Sequence, residues 1–294
     1  LIPHQLFIAH EVAARECPRV LLSDEVGLGK TIEACLVLHR LLITQRASRV
    51  LILVPDSLVH QWFVELYRRF NLWFTIMDAE RCSAIALSSE QGNPFLEEQL
   101  VICSVDSLTK VERWAEAVAQ VDWDLLIVDE AHHYEWNPDY VSEEYALVEA
   151  LSQKSQGLIL LTATPEQMGI EGHFARLRLL DPNRYPDLNQ FIAEQKQYEV
   201  VADIANAVYS KKPLTKKSKE QLNRILGDVS DSELRALVED REGLLEALVD
   251  RFGTGRVIFR NAREDLKGFP ERRAMPHALK WTERLPEDEL KLRI

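Results

Sequence analysis

The sequence predicts an α/β fold in which a parallel sheet lies between two layers of helices. Up to residue 180, short apolar segments alternate with segments of helical periodicity, which is the order expected of strand–helix–strand units. Several apolar segments are hydrophobic at every position, which is typical of strands covered on both faces. The predicted strands are Val20–Ser23, Val50–Pro55, Phe74–Asp78, Leu100–Ser104, Leu125–Asp129 and Leu158–Thr162.

A helix is predicted between the second and third strands, over Ser57–Phe70. Its apolar residues recur at the spacing of one helical face, at Leu58, Trp62, Leu66 and Phe70. Ser57 is the expected N-cap, because a serine oxygen can accept a hydrogen bond from the free amides of the first turn.

The character of the chain changes after residue 184, which gives the predicted domain organisation. Residues 1–184 form the predicted sheet-containing lobe. Residues 185–253 carry helical patterns without strand candidates and are interpreted as a helical subdomain. Residues 254–294 contain short extended pieces and a proline-rich tail, and are interpreted as a linker and the start of a second lobe.

The composition is that of a globular protein, with 46% hydrophobic and 28% charged residues among 294. No apolar run approaches the length of a transmembrane helix, and the N-terminus resembles neither a signal peptide nor a natural start, so we expect a piece of a longer protein. The net charge of −12 gives no general attraction to nucleic acid, so such a contact requires a local patch. The four cysteines, at positions 17, 35, 82 and 103, are interpreted as buried reduced thiols.

The most informative segment reads Asp-Glu-Val-Gly-Leu-Gly-Lys-Thr, from Asp24 to Thr31, between a predicted strand and a predicted helix. Its glycines allow the tight turn of a phosphate-binding loop, and the start of the following helix favours an anion. In such a loop Lys30 reaches the β- and γ-phosphates of a nucleoside triphosphate, and the Thr31 hydroxyl binds Mg²⁺. Asp24 stands where the common motif begins with glycine, and an ordinary turn with a solvated lysine is the alternative.

A second candidate element is the acidic pair Asp129 and Glu130, which follows the fully apolar segment Leu125–Val128. Two carboxylates at a buried strand end are costly unless they bind a partner, and Mg²⁺ prefers carboxylate and hydroxyl oxygens. We expect Asp129 to hold Mg²⁺ together with Thr31. Glu130 would then orient and deprotonate the water that attacks the γ-phosphate. The alternative is an acidic helix cap at a strand end.

A third element is the hydroxyl pair Thr162 and Thr164, which closes another apolar strand before Pro165. By spacing alone these are β-branched strand residues followed by a proline turn.

Together these segments resemble the motif set of superfamily-two helicases and translocases. The resemblance rests on Asp129-Glu130-Ala131-His132 and Thr162-Ala163-Thr164, and the acidic residue at position 24 resembles the Swi/Snf branch of that superfamily. Leu53-Val54-Pro55 with His60-Gln61-Trp62, and Ile2-Pro3-His4-Gln5, resemble the next motif and the upstream glutamine motif. Longer segments resemble bacterial Swi/Snf-type ATPases that associate with RNA polymerase, namely Glu65–Leu72, Gln99–Ser104 and His173–Arg184.

The resemblance implies a RecA-like lobe that binds ATP and Mg²⁺. The residues it assigns to the nucleotide are Gln5, as an adenine reader, and Asp24, Glu25, Val26, Gly27, Leu28, Gly29, Lys30 and Thr31. It implies catalytic roles for Lys30, Asp129 and Glu130, and a role for His132, Thr162 and Thr164 in coupling the nucleotide state to the nucleic-acid path. It locates the DNA track near the motif after the second strand and near residues 104–107.

The resemblance further implies a monomeric double-stranded DNA translocase of the bacterial cytoplasm and nucleoid, which acts on RNA polymerase. Such motors complete the ATP site with arginine fingers from a second RecA-like lobe, and no matching motif precedes Ile294. We therefore expect this chain alone to bind ATP weakly and hydrolyse it slowly. Two alternatives remain open: a DNA-remodelling motor of a restriction or defence system, and a nucleotide-gated docking module without turnover.

Overall fold

A seven-stranded sheet forms the centre of the computed structural model, which describes residues 2–25, 27–89, 92–162, 169–195 and 257–261. Its strands are β1 (Arg19–Leu22), β2 (Val50–Val54), β3 (Thr75–Ile76), β4 (Leu100–Ser104), β5 (Leu125–Val128), β8 (Gly157–Leu161) and β9 (Ile258–Phe259). A separate antiparallel hairpin is formed by β6 (Trp136–Asn137) and β7 (Tyr140–Val141). The strand order across the sheet is β3-β4-β2-β5-β8-β1-β9, and every neighbouring pair is parallel.

Helices cover both faces of this sheet. They are α1 (Pro3–Ala14), α2 (Lys30–Ile43), α3 (Val59–Phe70), α4 (Ala79–Ser88), α5 (Val105–Thr109), α6 (Glu112–Ala119), α7 (Glu143–Lys154) and α8 (Gly169–Leu180), and residues 188–195 are also helical. The buried side chains of α1, α2 and α3 share one apolar cluster, and those of α4 to α8 share another. The predicted parallel sheet between helix layers is therefore confirmed.

The central strand β2 illustrates why the sequence folds this way. All five of its residues are buried, and successive side chains point to opposite faces of a strand. Val50, Ile52 and Val54 join the cluster on the side of α1 to α3, whereas Leu51 and Leu53 join the other. A strand between two helix layers must therefore be apolar throughout.

The start of α3 differs from the sequence-based expectation. A single 3₁₀ turn, Asp56–Leu58, precedes the helix, which begins at Val59 without a side-chain cap, so the predicted Ser57 cap is wrong. The Leu58 amide is instead satisfied by the carbonyl of Pro55. The Asp56 carboxylate accepts a hydrogen bond from the Ser107 hydroxyl at 3.1 Å.

The chain returns to the sheet at residues 257–261. The sequence predicts a short extended piece here, within a linker and the start of a second lobe. In the structure this piece is β9, which extends the sheet beside β1, with Leu21 opposite Ile258 and Leu22 opposite Phe259. The remainder of the predicted 254–294 segment, and the helical subdomain beyond residue 195, lie outside the described residues. The domain boundaries therefore stay a prediction.

Two smaller expectations have definite outcomes. Cys35, Cys82 and Cys103 are buried free thiols as predicted, whereas Cys17 is exposed. Within the described part of the chain, no helix is both long enough and apolar enough to cross a membrane.

Candidate active site

The three strands that carry the candidate motifs are neighbours in the sheet, in the order β5-β8-β1. Because parallel strands end at the same edge, the loops that follow them meet there. Asp24–Lys30 follows β1, Asp129 and Glu130 follow β5, and Thr162 follows β8. The sheet topology therefore assembles residues that are far apart in the sequence.

The loop after β1 has the backbone of a phosphate-binding turn. Gly27 and Gly29 have φ angles of 85° and 97°, in the left-handed region that favours glycine. Gly29 directly precedes α2, so the free amides at the start of this helix face the loop. A Cβ atom on Gly29 would lie 2.5 Å from Nε2 of Gln5, so the Gln5 side chain would have to shift, and the φ angle of 97° itself disfavours any residue other than glycine.

Gln5, from α1, lies against this loop. Its Nε2 donates to the Leu28 carbonyl at 2.9 Å, and its Oε1 accepts from the Ile2 amide at 3.2 Å. The side chain is buried, so the position of the loop relative to α1 is fixed. The predicted role of Gln5 in reading adenine is compatible with this position and remains a prediction.

Lys30 is the first residue of α2, directly after the loop. Its Nζ donates to the Asp24 carbonyl at 2.8 Å. Its positive charge also lowers the pKa of both Asp129 and His132, although it is not the largest influence on either group. The charge of Lys30, beside the phosphate loop, therefore acts on groups in the loop that follows β5.

Asp129 is a buried carboxylate whose two oxygens both accept hydrogen bonds. Its Oδ2 accepts from Nε1 of Trp62 at 2.7 Å, and its Oδ1 accepts from the Glu130 amide at 2.8 Å. Burial raises the pKa of Asp129, and these two donors act in the opposite direction by stabilising the ionised form. From the sequence, Trp62 is an apolar position of α3 and the last residue of the quoted segment His60-Gln61-Trp62, without a predicted role at the site.

Glu130 is held in an uncommon backbone conformation, with φ 47° and ψ 40°. A non-glycine residue in the left-handed region costs on the order of 1 kcal/mol, and such residues cluster at functional sites. The carboxylate is about one-third exposed, and its Oε2 lies 3.1 Å from Nδ1 of His132.

His132 connects Glu130 to the end of β8. Its Nδ1 lies 3.5 Å from Oγ1 of Thr162, as well as close to Glu130. Burial is the largest influence that lowers the pKa of His132, followed by the neighbouring charges of His133 and Arg176. The imidazole is therefore predominantly neutral at pH 7, and with its proton on Nδ1 it can donate to Glu130.

A buried arginine on α8 contacts the loop that follows β5 and carries Glu130 and His132. Arg176, on α8, is 2% exposed and donates from Nη2 to the Tyr134 carbonyl at 2.6 Å. Its guanidinium lies 6.0 Å from the ring centre of Tyr145. Burial lowers the pKa of Arg176 to about 10, so the group remains charged at neutral pH.

Behind the phosphate loop lies a buried acidic pair, Asp24 and Glu33, with His4 beside it. Nε2 of His4 is 3.8 Å from the Asp24 carboxylate and 3.3 Å from Glu33. Burial, followed by the charge of Asp24, raises the pKa of Glu33 to about 9, so Glu33 holds a proton at neutral pH. Asp24 accepts hydrogen bonds from Asn261 on the returning chain.

Most of the predicted site residues lie together at this edge. The described members are Gln5, Asp24, Glu25, Gly27, Leu28, Gly29, Lys30, Thr31, Asp129, Glu130, His132 and Thr162. Val26 and Thr164 lie outside the described residues. Sequence reasoning missed the supporting residues, which are His4, Glu33, Trp62, Arg176 and Asn261. Of these, His4, Trp62 and Arg176 stand inside segments quoted for the resemblance, but the sequence analysis assigned none of the five a role.

The two regions that the resemblance links to a DNA track also touch one another. Ser107, at the start of α5, donates from its hydroxyl to the exposed Asp56 carboxylate after β2. Ser104 caps α5 by accepting from the Ser107 amide at 3.2 Å. The structure therefore joins both regions into one ridge, in which Asp56 is exposed and Ser107 is half-buried.

The donors and acceptors at this edge fit a nucleoside triphosphate with Mg²⁺. The positive φ angle of Gly29 favours glycine, and the helix start beside it supplies amides and a lysine for phosphate oxygens. Asp129 supplies a buried carboxylate whose orientation is set by the hydrogen bond from Trp62. Thr31 supplies a hydroxyl in the first turn of α2. Carboxylate and hydroxyl oxygens are the ligands that Mg²⁺ prefers.

Comparison with known proteins is consistent with this geometry. A family model described as the SNF2-related domain matches residues 5–283. The RNA polymerase-associated proteins RapA of Vibrio campbellii and Vibrio cholerae serotype O1 are 51% and 50% identical over 282 residues. These alignments cover 92% of this chain, which spans only 29% of the length of each relative.

Two solved structures of the Sulfolobus solfataricus SWI2/SNF2 ATPase core share the fold. The core in complex with dsDNA gives a TM-score of 0.56 at 20% identity, covering 90% of this chain and 44% of that one. The core domain alone gives 0.54 at 18% identity, covering 89% and 43%. This likeness confirms the predicted RecA-like fold.

Proposed function

Because the chain belongs to the SNF2-related domain family, we propose that it is the first ATPase lobe of a double-stranded DNA translocase that acts on RNA polymerase. One observation carries the hydrolytic part of this proposal: the phosphate loop after β1 and the acidic pair after β5 lie at the same edge of the sheet, with only β8 between their strands. A phosphate-binding lysine, a buried carboxylate and a candidate base are thus found at the same edge of the sheet, where one ATP molecule could contact all three. This is the set that phosphoryl transfer to water requires.

Lys30 binds the β- and γ-phosphates of ATP in this proposal. Its ammonium now donates to the Asp24 carbonyl, a neutral acceptor, and an anionic phosphate oxygen makes a stronger charge-assisted bond. The exchange needs only rotations of the lysine side chain. The amides at the start of α2 hold the same phosphates.

Thr31 and Asp129 are the residues that would hold Mg²⁺. When bound, the ion neutralises charge that develops on the phosphate oxygens. The protein's own contribution is orientation, because Trp62 and the Glu130 amide fix both oxygens of Asp129 in advance. A carboxylate that is already oriented loses little freedom when it binds.

Glu130 is the proposed base. Its partly exposed carboxylate can accept the proton of an attacking water, and Nδ1 of His132 lies 3.1 Å from one of its oxygens. Thr162 contacts the same imidazole from the end of β8. A change at Glu130 during hydrolysis therefore reaches β8 through His132, which is the proposed coupling route.

The partners follow from the family and the relatives. The relatives are named as associated with RNA polymerase, and the Sulfolobus core is described in complex with dsDNA. We propose both partners for this protein, with the ridge of Asp56 and Ser107 on the DNA path and a second RecA-like lobe that completes the ATP site. The cytoplasm and nucleoid are the proposed location.

The test is ATP hydrolysis by the complete gene product, measured alone, with double-stranded DNA, and with RNA polymerase. We expect stimulation by a partner in the unmodified protein, and loss of turnover in Lys30→Ala and Glu130→Gln. Lys154→Ala is the matched control, since this exposed lysine ends α7 at the opposite edge of the sheet. Unchanged turnover in Glu130→Gln would contradict the role of Glu130 as base.

The 294-residue chain by itself should bind ATP weakly and hydrolyse it slowly. Arginine fingers contribute about 10³–10⁵ in rate where they are present. Turnover by this chain equal to that of the complete gene product would contradict the requirement for a second lobe. ATP binding without turnover under every condition would favour the docking-module alternative.

A further inference from the structure

The carboxylate of Asp24 is held by a residue 237 positions away in the sequence. The Asn261 amide donates to Oδ1 at 2.7 Å, and its Nδ2 lies 3.0 Å from both Oδ1 and Oδ2. Both oxygens of Asp24 are thus engaged by one residue, through its main chain and its side chain together.

Asp24 needs these donors because it is completely buried, with an exposure of 0%. A buried carboxylate without hydrogen bonds is strongly destabilising. The amides of Asn261 stabilise it without adding a charge. Glu33, which carries a proton, and His4 occupy the other side of the same carboxylate.

The contact is part of a continuous connection between the returning chain and the phosphate loop. Both the amide and the hydroxyl of Ser23 donate to the Phe259 carbonyl, at 2.8 and 3.1 Å. The Glu25 amide donates to the Asn261 carbonyl at 3.1 Å. Asp24, between them, is therefore bound through its neighbours and through its own side chain.

Asp24 is also the residue that holds Lys30. The Asp24 carbonyl accepts from Nζ of Lys30 at 2.8 Å, while the Asp24 side chain accepts from Asn261. A displacement of Asn261 would consequently shift the backbone of the phosphate loop at Asp24 and Glu25, and with it the loop groups that face the nucleotide.

We infer that Asn261 is a positioning residue for the phosphate loop, and that it makes ATP affinity depend on the docking of residues 257–261 beside β1. This inference rests on the proposed ATPase function. It adds a residue to which the sequence analysis assigned no role, and it gives residues 257–261 a direct mechanical connection to the nucleotide site.

The test uses the complete gene product and four variants: Asn261→Ala, Asn261→Asp, Asp24→Asn and the exchanged pair Asp24→Asn/Asn261→Asp. The readouts are binding of a fluorescent ATP analogue, KM for ATP, kcat, and thermal unfolding. We expect Asn261→Ala to raise KM about ten-fold, because one charge-assisted contact is lost. Asn261→Asp should raise it about 100-fold, because two buried carboxylates would face each other.

The exchanged pair distinguishes a specific role of the Asn261–Asp24 contact in positioning the phosphate loop from a general contribution of these residues to stability. It places the amide and the carboxylate on opposite partners, so we expect its KM to return to within about three-fold of the unmodified protein. A variant that is merely less stable loses active protein, which lowers kcat and leaves KM unchanged. Asn183→Ala, at an exposed asparagine after α8, is the control and should leave KM unchanged.

Each outcome decides the inference. A folded Asn261→Ala with unchanged KM would overturn it, and so would an exchanged pair that folds but keeps the high KM of Asn261→Asp. If Asn261→Ala does not fold, Asn261→Leu, which keeps the volume and removes the side-chain donor, takes its place under the same criteria. Absence of ATP binding in the unmodified protein would overturn the proposed function itself, which the first measurement reveals before any variant is compared.

Discussion

The indole nitrogen of Trp62 donates a hydrogen bond of 2.7 Å to Oδ2 of Asp129. The two residues belong to different layers of the fold, since Trp62 lies on α3 and Asp129 follows β5 in the sheet. Both are buried, so water does not compete for the contact. Through this hydrogen bond, a residue of the apolar cluster around α3 orients a carboxylate at the edge of the sheet that carries the candidate active site, called the active edge below.

Replacing Trp62 with phenylalanine should impair ATP hydrolysis more than it impairs the fold. The ring remains in the core, but Asp129 loses a donor worth about 1.5–3 kcal/mol to a charged group. We expect kcat/KM for ATP to fall about 10- to 100-fold. Because the lost donor favoured the ionised carboxylate, the pKa of Asp129 should rise further, and the acid limb of the pH–activity profile should move to higher pH.

Trp123→Phe is the matched control for this prediction. Trp123 is equally buried, and its Nε1 donates to the Val118 carbonyl at 3.1 Å, in a contact unrelated to the active edge. Both variants should lose a similar amount of stability, measured by thermal unfolding. Equal losses of activity in the two would contradict a specific role for Trp62.

This contact also illustrates what the sequence can and cannot predict. Leu125–Val128 is apolar throughout and is followed by two acids, so the strand and the position of Asp129 follow from local pattern. Trp62 matches the apolar spacing of α3 equally well. Spacing along one helix contains no information about a partner 67 residues away. The hydrogen bond of the indole nitrogen to Asp129 therefore could not be predicted from the sequence.

The return of the chain at β9 was hidden for a related reason. β9 has only two residues, Ile258 and Phe259, and its place depends on pairing with β1 across a long separation. No local pattern distinguishes such a segment from a linker. The wrong prediction of a Ser57 cap has a local cause instead. Ser57 lies inside a 3₁₀ turn, Asp56–Leu58, and the α-helix begins only after that turn.

Replacing Glu33 with glutamine should make the fold less sensitive to alkaline pH. Glu33 has its pKa raised to about 9 by burial and by the charge of Asp24, so the folded state keeps a proton that the unfolded state releases above its ordinary pKa. Stability is therefore lost as pH rises through this window, by up to about 1.4 kcal/mol per pH unit. Glutamine does not titrate and avoids this loss.

The measurement for Glu33→Gln is thermal or urea unfolding of the chain between about pH 4 and pH 9. The variant and the unmodified chain should have similar stability at the acid end, with the variant increasingly more stable toward the alkaline end. Glu116→Gln, at an exposed position of α6, should show no such trend. A constant difference across the whole range would show that Glu33 is ionised in the fold.

Arg19 should be important for stability and unimportant for nucleotide binding. At the start of β1 it donates four hydrogen bonds to the carbonyls of Ser152, Ser155, Leu179 and Leu180, at the ends of α7 and α8. We expect Arg19→Met to lower the free energy of unfolding by about 2–4 kcal/mol, since charge-assisted bonds to helix C-termini are lost.

Urea unfolding and KM for ATP together check the Arg19 prediction. KM should be unchanged in the folded variant, because Arg19 lies at the edge of the sheet opposite the phosphate loop. Arg184→Met removes an exposed ion pair with Glu194 instead, and should cost about 1 kcal/mol or less. An equally small effect of Arg19→Met would show that water replaces its contacts without loss.

The contact between His132 and Thr162 should carry part of the coupling between ATP hydrolysis and DNA. Nδ1 of His132 lies 3.1 Å from Glu130 and 3.5 Å from the Thr162 hydroxyl, so one imidazole touches both the proposed base and the end of β8. Thr162→Val preserves the shape of the side chain and removes the hydroxyl. We expect it to reduce the ratio of DNA-stimulated to basal turnover, and His132→Ala to reduce this ratio further.

A double-mutant cycle tests whether the two residues act through each other. If they do, the variant that combines His132→Ala with Thr162→Val should have the same ratio as His132→Ala alone, because the hydroxyl has no partner once the imidazole is gone. The expected interaction energy is about 0.5–1.5 kcal/mol, the net value of a single hydrogen bond. Fully additive effects would mean that Thr162 reaches the DNA path by a route that does not include His132.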